Sequence, residues 1–102
     1  LYRNGFGVLQ NYQMAVRWYL AAAEQGYENA QMNLGKMYEE GKGVPVDAKK
    51  AYMWYNLAAV SETSSEARRL RDNLAIRMKS ADIEVAQLMS VKCQEQKYKQ
   101  CN

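Results

Sequence analysis

The chain has 102 residues, 48% of them hydrophobic and 25% charged, with 14 basic against 11 acidic side chains and a net charge of +3. That balance fits one folded domain and excludes a disordered chain, and no apolar run approaches the roughly 18 residues a membrane-spanning helix needs. Histidine is absent, which removes the commonest general base and metal ligand from consideration.

The chain opens on a repeat. Gly5-Phe6-Gly7-Val8 returns 36 residues later as Gly41-Lys42-Gly43-Val44, and Ala15, Trp18, Tyr19, Ala22 and Ala23 return as Ala51, Trp54, Tyr55, Ala58 and Ala59. A fixed period of this length marks stacked supersecondary units, each too small to bury its own apolar face. The same register sets Leu1 and Tyr2 against Met37 and Tyr38. It predicts that the chain begins in the last turn of a helix whose start lies upstream, as in an excised fragment.

Between Tyr12 and Gln25 the residues Ala15, Trp18, Tyr19, Ala22 and Ala23 share one face of a helix. Asn11 is expected to cap its start, and Gly26 to stop it in a left-handed conformation. A second helix is expected from Asn29, its cap, with Ala30, Leu34, Met37 and Tyr38 inward and Gly41 at its end. The segment from Gly41 to Asp47 holds the only proline and two glycines, and it reads as a shaped loop with Val44 as anchor. Asp47 then caps a helix from Ala48 to Val60.

Thr63-Ser64-Ser65-Glu66 has the spacing of a capping box. It predicts a helix from Ser64 to about Met78 with Ala67, Leu70, Leu74 and Met78 buried. The glycine loop does not return. Ser80 is expected to cap a last helix from Ala81 to about Lys99, with Asp82 and Glu84 in its first turn, where carboxylates oppose the positive end of the helix dipole. The expected division is therefore a partial unit over 1–26, a complete unit over 27–62 and divergent capping helices over 63–102. A terminal unit of this kind needs a polar outer face. Trp18 and Trp54, each removing roughly 150 to 250 Å² from water, are both expected in the core.

Read together, Gly5, Gly7, Val8, Ala15, Trp18, Tyr19, Ala22, Ala23, Gly26, Ala30, Gln31, Leu34, Gly35, Tyr38, Gly41, Gly43, Val44, Asp47, Ala51, Trp54, Tyr55, Ala58 and Ala59 form a pattern over the first sixty residues or so. The pattern resembles the Sel-one-like repeat, a relative of the tetratricopeptide repeat. The resemblance implies an all-α superhelix of antiparallel helix pairs. It also implies an adaptor that binds a protein or peptide, with no small-molecule substrate and no cofactor, and it leans towards an extracytoplasmic setting whose targeting signal would lie upstream.

By analogy with tetratricopeptide arrays, the helix from Asn29 to Glu40 lines the concave side. Asn29, Met32, Lys36, Glu39 and Glu40, which its buried stripe leaves over, are then the candidate partner-binding residues. The plainer reading is a solvated face with Lys36 and Glu40 as an exposed pair worth a few tenths of a kcal/mol. A further alternative gives binding to upstream repeats and leaves this segment as an end cap.

The net charge resides beyond residue 65, where Arg68, Arg69, Arg71, Arg77 and Lys79 form a modest cluster able to meet phosphates. It lacks an aromatic platform or a reading helix, so nucleic acid is the minor alternative.

Cys93 and Cys101 are eight residues apart. On an unbroken helix that is about 12 Å of rise, whereas a disulfide needs Cα atoms within roughly 7 Å. A bond requires a chain reversal near Glu95 to Tyr98, with no glycine or proline to mark it. Some cysteine-rich relatives of the repeat pair cysteines at this spacing. The bonded reading implies an oxidising compartment; the unbonded one makes these a small core residue and a terminal thiol. Neither cysteine has an activating partner, two cysteines do not make a zinc site, and Glu39 and Glu40 point to different sides of a helix. No catalysis and no metal are expected.

Overall fold

The computed structural model describes residues 8–60 and 65–101. Gly5, Gly7 and the Thr63-Ser64 half of the capping box lie outside the described residues. Within them the chain forms helices α1 (Val8–Ala23), α2 (Glu28–Glu40), α3 (Ala48–Ala58), α4 (Ser65–Ala75) and α5 (Ser80–Glu95), with no strand. The fold is all-α, as the 3.6-residue patterning requires.

Helix starts are where the sequence misleads. Asn11 lies inside α1 rather than at its cap, because the helix extends back through Leu9 to Val8. Asn29 is in the first turn of α2. The amide of Gln31 already bonds the carbonyl of Tyr27 at 3.0 Å, so Tyr27 occupies the cap position without a side-chain bond. Ser80 is likewise the first residue of α5, since Ile83 N–H reaches the Lys79 carbonyl at 3.0 Å. Asp47 does cap α3: its carboxylate accepts from the Lys50 amide at 3.0 Å. Helix α2 stops at Gly41, whose φ of 73° is the left-handed conformation that a Cβ would oppose.

Helix α3 is the centre of the molecule, packed against α2, α4 and α5, while the main helix contact of α1 is with α2. The core draws on every element: Val16 and Ala23, Leu34 and Tyr38, Ala51 to Tyr55, Leu74, and Ala86 with Cys93. Leu70 and Met78 are half-buried against it, and Ala67 is buried in a small adjoining cluster with Ala58 and Ala59. Two polar side chains are buried with them, Gln31 and Ser90, and Ser90 donates to the Ala86 carbonyl of its own helix at 2.9 Å. Gln31 is 1% exposed and donates from Nε2 to the Ala23 carbonyl at 3.1 Å, which ties α2 to the end of α1.

The two tryptophans do not share an environment. Trp54 is fully buried, but Trp18 is 70% exposed. Helix α5 runs along α3, with Asp82 beside Lys49 at 3.9 Å and Gln87 donating to the Tyr52 hydroxyl at 3.4 Å. Matching repeat residues on α1 and α3 therefore have unequal burial.

Helix α5 also departs from the polar outer face expected of a cap. Ala86, Ser90 and Cys93 point inward, yet Val85, Leu88 and Val91 are exposed. The helix ends at Glu95, earlier than its apolar pattern suggests, and the chain turns back so that Cys93 and Cys101 are joined in a disulfide with Cα atoms 5.3 Å apart. Lys97, Tyr98 and Gln100 make this reversal in left-handed conformations without any glycine.

Candidate functional site

Helices α2 and α4 both pack on α3, and two ion pairs link them. Lys36 near the middle of α2 pairs with Glu66 at the start of α4 at 3.9 Å, and Glu39, a turn further on, pairs with Arg77 just past the end of α4. At the N-terminal ends the two helices part. The gap is a cavity of about 450 Å³ lined by Glu28, Asn29, Met32, Ala58, Ser65, Glu66 and Ala67. Its floor is apolar and small-sided, because Ala58 and Ala67 close the second core cluster beneath it with Met32 packed alongside. Its rim is polar.

The five residues expected on this face therefore have different surroundings. Asn29 and Met32 line the cavity, and Lys36 borders it through its contact with Glu66. Glu39 faces inward instead: one carboxylate oxygen accepts from the Tyr55 hydroxyl at 2.6 Å and the other meets Arg77. Glu40 is exposed beside Lys42 at 3.3 Å. The exposed pair read between Lys36 and Glu40 is thus replaced by two others, each with a partner closer in space than its helical neighbour.

The Glu39–Tyr55 contact has a consequence for pH. Burial, and then the hydrogen bond to Glu39 with its charge, push the Tyr55 phenol well above its ordinary 10.0; Tyr38 is raised more modestly, by burial and by Asp47. A group whose folded-state value is raised contributes stability that is intact below the unfolded value and lost as pH climbs past it. Urea unfolding should show constant stability up to about pH 9 and a decline above about pH 10, and Tyr55→Phe should flatten that decline.

A second opening of about 570 Å³ lies between α1 and the start of α2, lined by Trp18, Tyr19, Ala22, Tyr27, Glu28, Asn29, Ala30 and Asn33. Glu28 and Asn29 border both openings. Sequence reasoning missed Tyr27 and Asn33, which belong to no repeat stripe, and assigned Trp18 to the core.

Of the five basic residues read as a cluster, the four arginines have partners, while Lys79 is exposed. Arg71 donates to the Asn56 amide oxygen at 2.9 Å and to Asp72 at 3.1 Å, Arg69 faces Glu66 at 3.9 Å, Arg77 is held by Glu39, and Arg68 donates to the Ala59 carbonyl at 3.4 Å. Among the described residues no group of three or more His, Cys, Asp or Glu side chains is placed to hold a metal ion, and no helix is long and apolar enough to cross a membrane.

The Sel1 repeat model matches residues 1–27 and 29–59 of the chain. The chitin synthase regulator SKT5 of Saccharomyces cerevisiae is 40% identical over 57 residues, which are 56% of this chain and 8% of that protein. The ERAD-associated E3 ubiquitin-protein ligase component HRD3B of Arabidopsis thaliana is 34% identical over 65 residues, 64% of this chain and 11% of that protein. The chain spans only a small part of the length of either relative. No solved structure matches it. Sel1 repeats generally mediate protein–protein interaction as helical scaffolds. With the glycine loop, the paired helices and two matched segments in agreement, the chain belongs to the Sel1 repeat family.

Proposed function

We propose that this segment is a non-catalytic interaction scaffold that binds a protein or peptide partner in the groove between α2 and α4. The observation that carries the reading is the groove itself: an apolar floor of Met32, Ala58 and Ala67 under a polar rim of Asn29, Ser65 and Glu66, between helices that the Lys36–Glu66 pair links at the rim and the Glu39–Arg77 pair links further along. Apolar floors take side chains, and rim amides and carboxylates meet the main chain of an extended segment. Shape and rigidity are its contribution. Asn29, Met32 and Lys36 are the residues through which it acts, while Glu39 supports the fold and Glu40 stands apart.

The test uses peptides selected from a random display library on the immobilised chain. Asn29→Arg, an exposed position that would fill the groove mouth, should weaken them by at least about tenfold, and Ile76→Arg, on an exposed site elsewhere, should not. Equal binding by Asn29→Arg would overturn the groove reading. A second reading is favoured by α5, which packs along α3: the last helices act as an end cap for repeats that bind elsewhere. Peptides that ignore every groove substitution fit that reading.

A further inference from the structure

The tail beyond α5 reverses direction on residues poorly suited to it. Lys97, Tyr98 and Gln100 take φ values of 55°, 68° and 57°, a region L side chains avoid because Cβ crowds the following carbonyl. Such a segment persists only where its surroundings hold it. Three fastenings do so here. Cys93 and Cys101 are covalently joined, the Tyr98 amide donates to the Cys93 carbonyl at 2.9 Å, and the Tyr98 ring lies over the turn between α1 and α2. That last contact is close: a Cβ on Gly26 would stand 3.4 Å from Tyr98 Cε2.

Only the covalent fastening can be opened by a specific reagent, and its two sulfurs differ in access. Cys93 is 1% exposed and belongs to the core. Cys101 is half-buried at the surface, on the wall of an opening of about 230 Å³ shared with Met89, Lys92, Cys93, Gln96 and Gln100, so both cysteines border the opening but Cys101 is the more exposed. We propose that Cys101 is a thiol–disulfide exchange site for a dithiol, and that opening the bond lifts Tyr98 off the α1–α2 turn.

In the step, a thiolate of the dithiol attacks Cys101 Sγ, the Cys93–Cys101 bond breaks, and Cys93 leaves as a thiolate that takes a proton from water. The second thiol, as its thiolate, attacks the sulfur of its own reagent in the mixed disulfide. This closes the reagent's disulfide and releases Cys101, which is protonated in turn. Two electrons pass from the dithiol to the protein. The Lys92 ammonium on the wall of the opening favours an anionic attacking group. The turn that Tyr98 covers leads directly into Glu28 and Asn29, so the state of the tail is felt at the border of both openings.

The experiment compares the whole chain, oxidised and in excess dithiothreitol, by hydrogen exchange. The Gly26 and Tyr27 amides donate to Ala23 and Ala22 carbonyls at 3.0 and 3.2 Å, and they report the turn. Reduction should raise their exchange about tenfold, as expected when a local opening is made easier. Tyr98→Ala with the bond intact should reproduce the rise, Cys101→Ser should give it without reductant, and reduction of Tyr98→Ala should add nothing. Oxidised glutathione-free protein challenged with glutathione, a monothiol, should carry the mixed disulfide on Cys101 by peptide mass. Unchanged exchange at the turn on reduction or in Tyr98→Ala, or glutathione on Cys93, would overturn the proposal.

Discussion

Replacing Trp54 with alanine should cost about 3 to 5 kcal/mol, while the same change at Trp18 should stay within about 0.5 kcal/mol. The two indoles hold the same place in the repeat, so a difference of this size isolates environment from sequence. Trp54 is fully buried in α3, the helix that packs against α2, α4 and α5, and its removal leaves a cavity that its neighbours must collapse to fill. Trp18 stands largely in solvent on the wall of an opening, and truncating it removes little buried area. Urea unfolding followed by circular dichroism checks both. Equal losses would mean that Trp18 is covered in solution.

The second large effect is expected at Gly43. Its φ of 79° already disfavours any other residue, by about 1 to 2 kcal/mol. A Cβ there would also lie 2.6 Å from the Tyr12 carbonyl oxygen, 2.8 Å from its carbon and 3.0 Å from Val16 Cγ2. Main chain cannot swing aside as a side-chain tip can, and crowding of this kind typically adds about 1 to 3 kcal/mol. Gly43→Ala should therefore lower stability by about 2 to 5 kcal/mol. Gly26→Ala gives a useful contrast: the backbone is also left-handed, but the nearest obstacle is the Tyr98 ring at an ordinary 3.4 Å. A thermal melt in which Gly43→Ala matches wild type would show that α1 and the loop do not meet as described.

These contrasts also mark what a sequence of this kind discloses. The 36-residue register, the helical stripes and the loop ending at Asp47 were all legible, because each follows from local geometry: spacing on a helix, a left-handed glycine, a carboxylate able to reach an amide. The fate of Trp18 was not, since burial depends on which helices lie across a face. Nor were the true starts of α2 and α5. There a backbone carbonyl supplies the first helical bond, and a nearby asparagine or serine merely looks like a cap.

The candidate groove was legible in part for the same reason. Asn29 and Met32 were placed by their position outside the α2 stripe, but so was Glu39, and only the three-dimensional approach of Tyr55 and Arg77 turns that carboxylate inward. The buried Gln31 was visible as a repeat position, yet its role depends on the carbonyl of Ala23 at the end of another helix, which accepts from it as well as from the Gly26 amide. The path of the tail was hardest to foresee. A reversal built on lysine, tyrosine and glutamine has no composition signal.

The course of α5 has a consequence for how the molecule comes apart. An ideal array is a row of neighbours, each touching only the next, and it can fray one unit at a time from either end. Here α5 starts beside Lys49 of α3, and the tail after it lies over Gly26 at the turn between α1 and α2. Fraying of α5 and that tail would strip cover from α3 and from the α1–α2 turn together, so the described helices should melt cooperatively as one block.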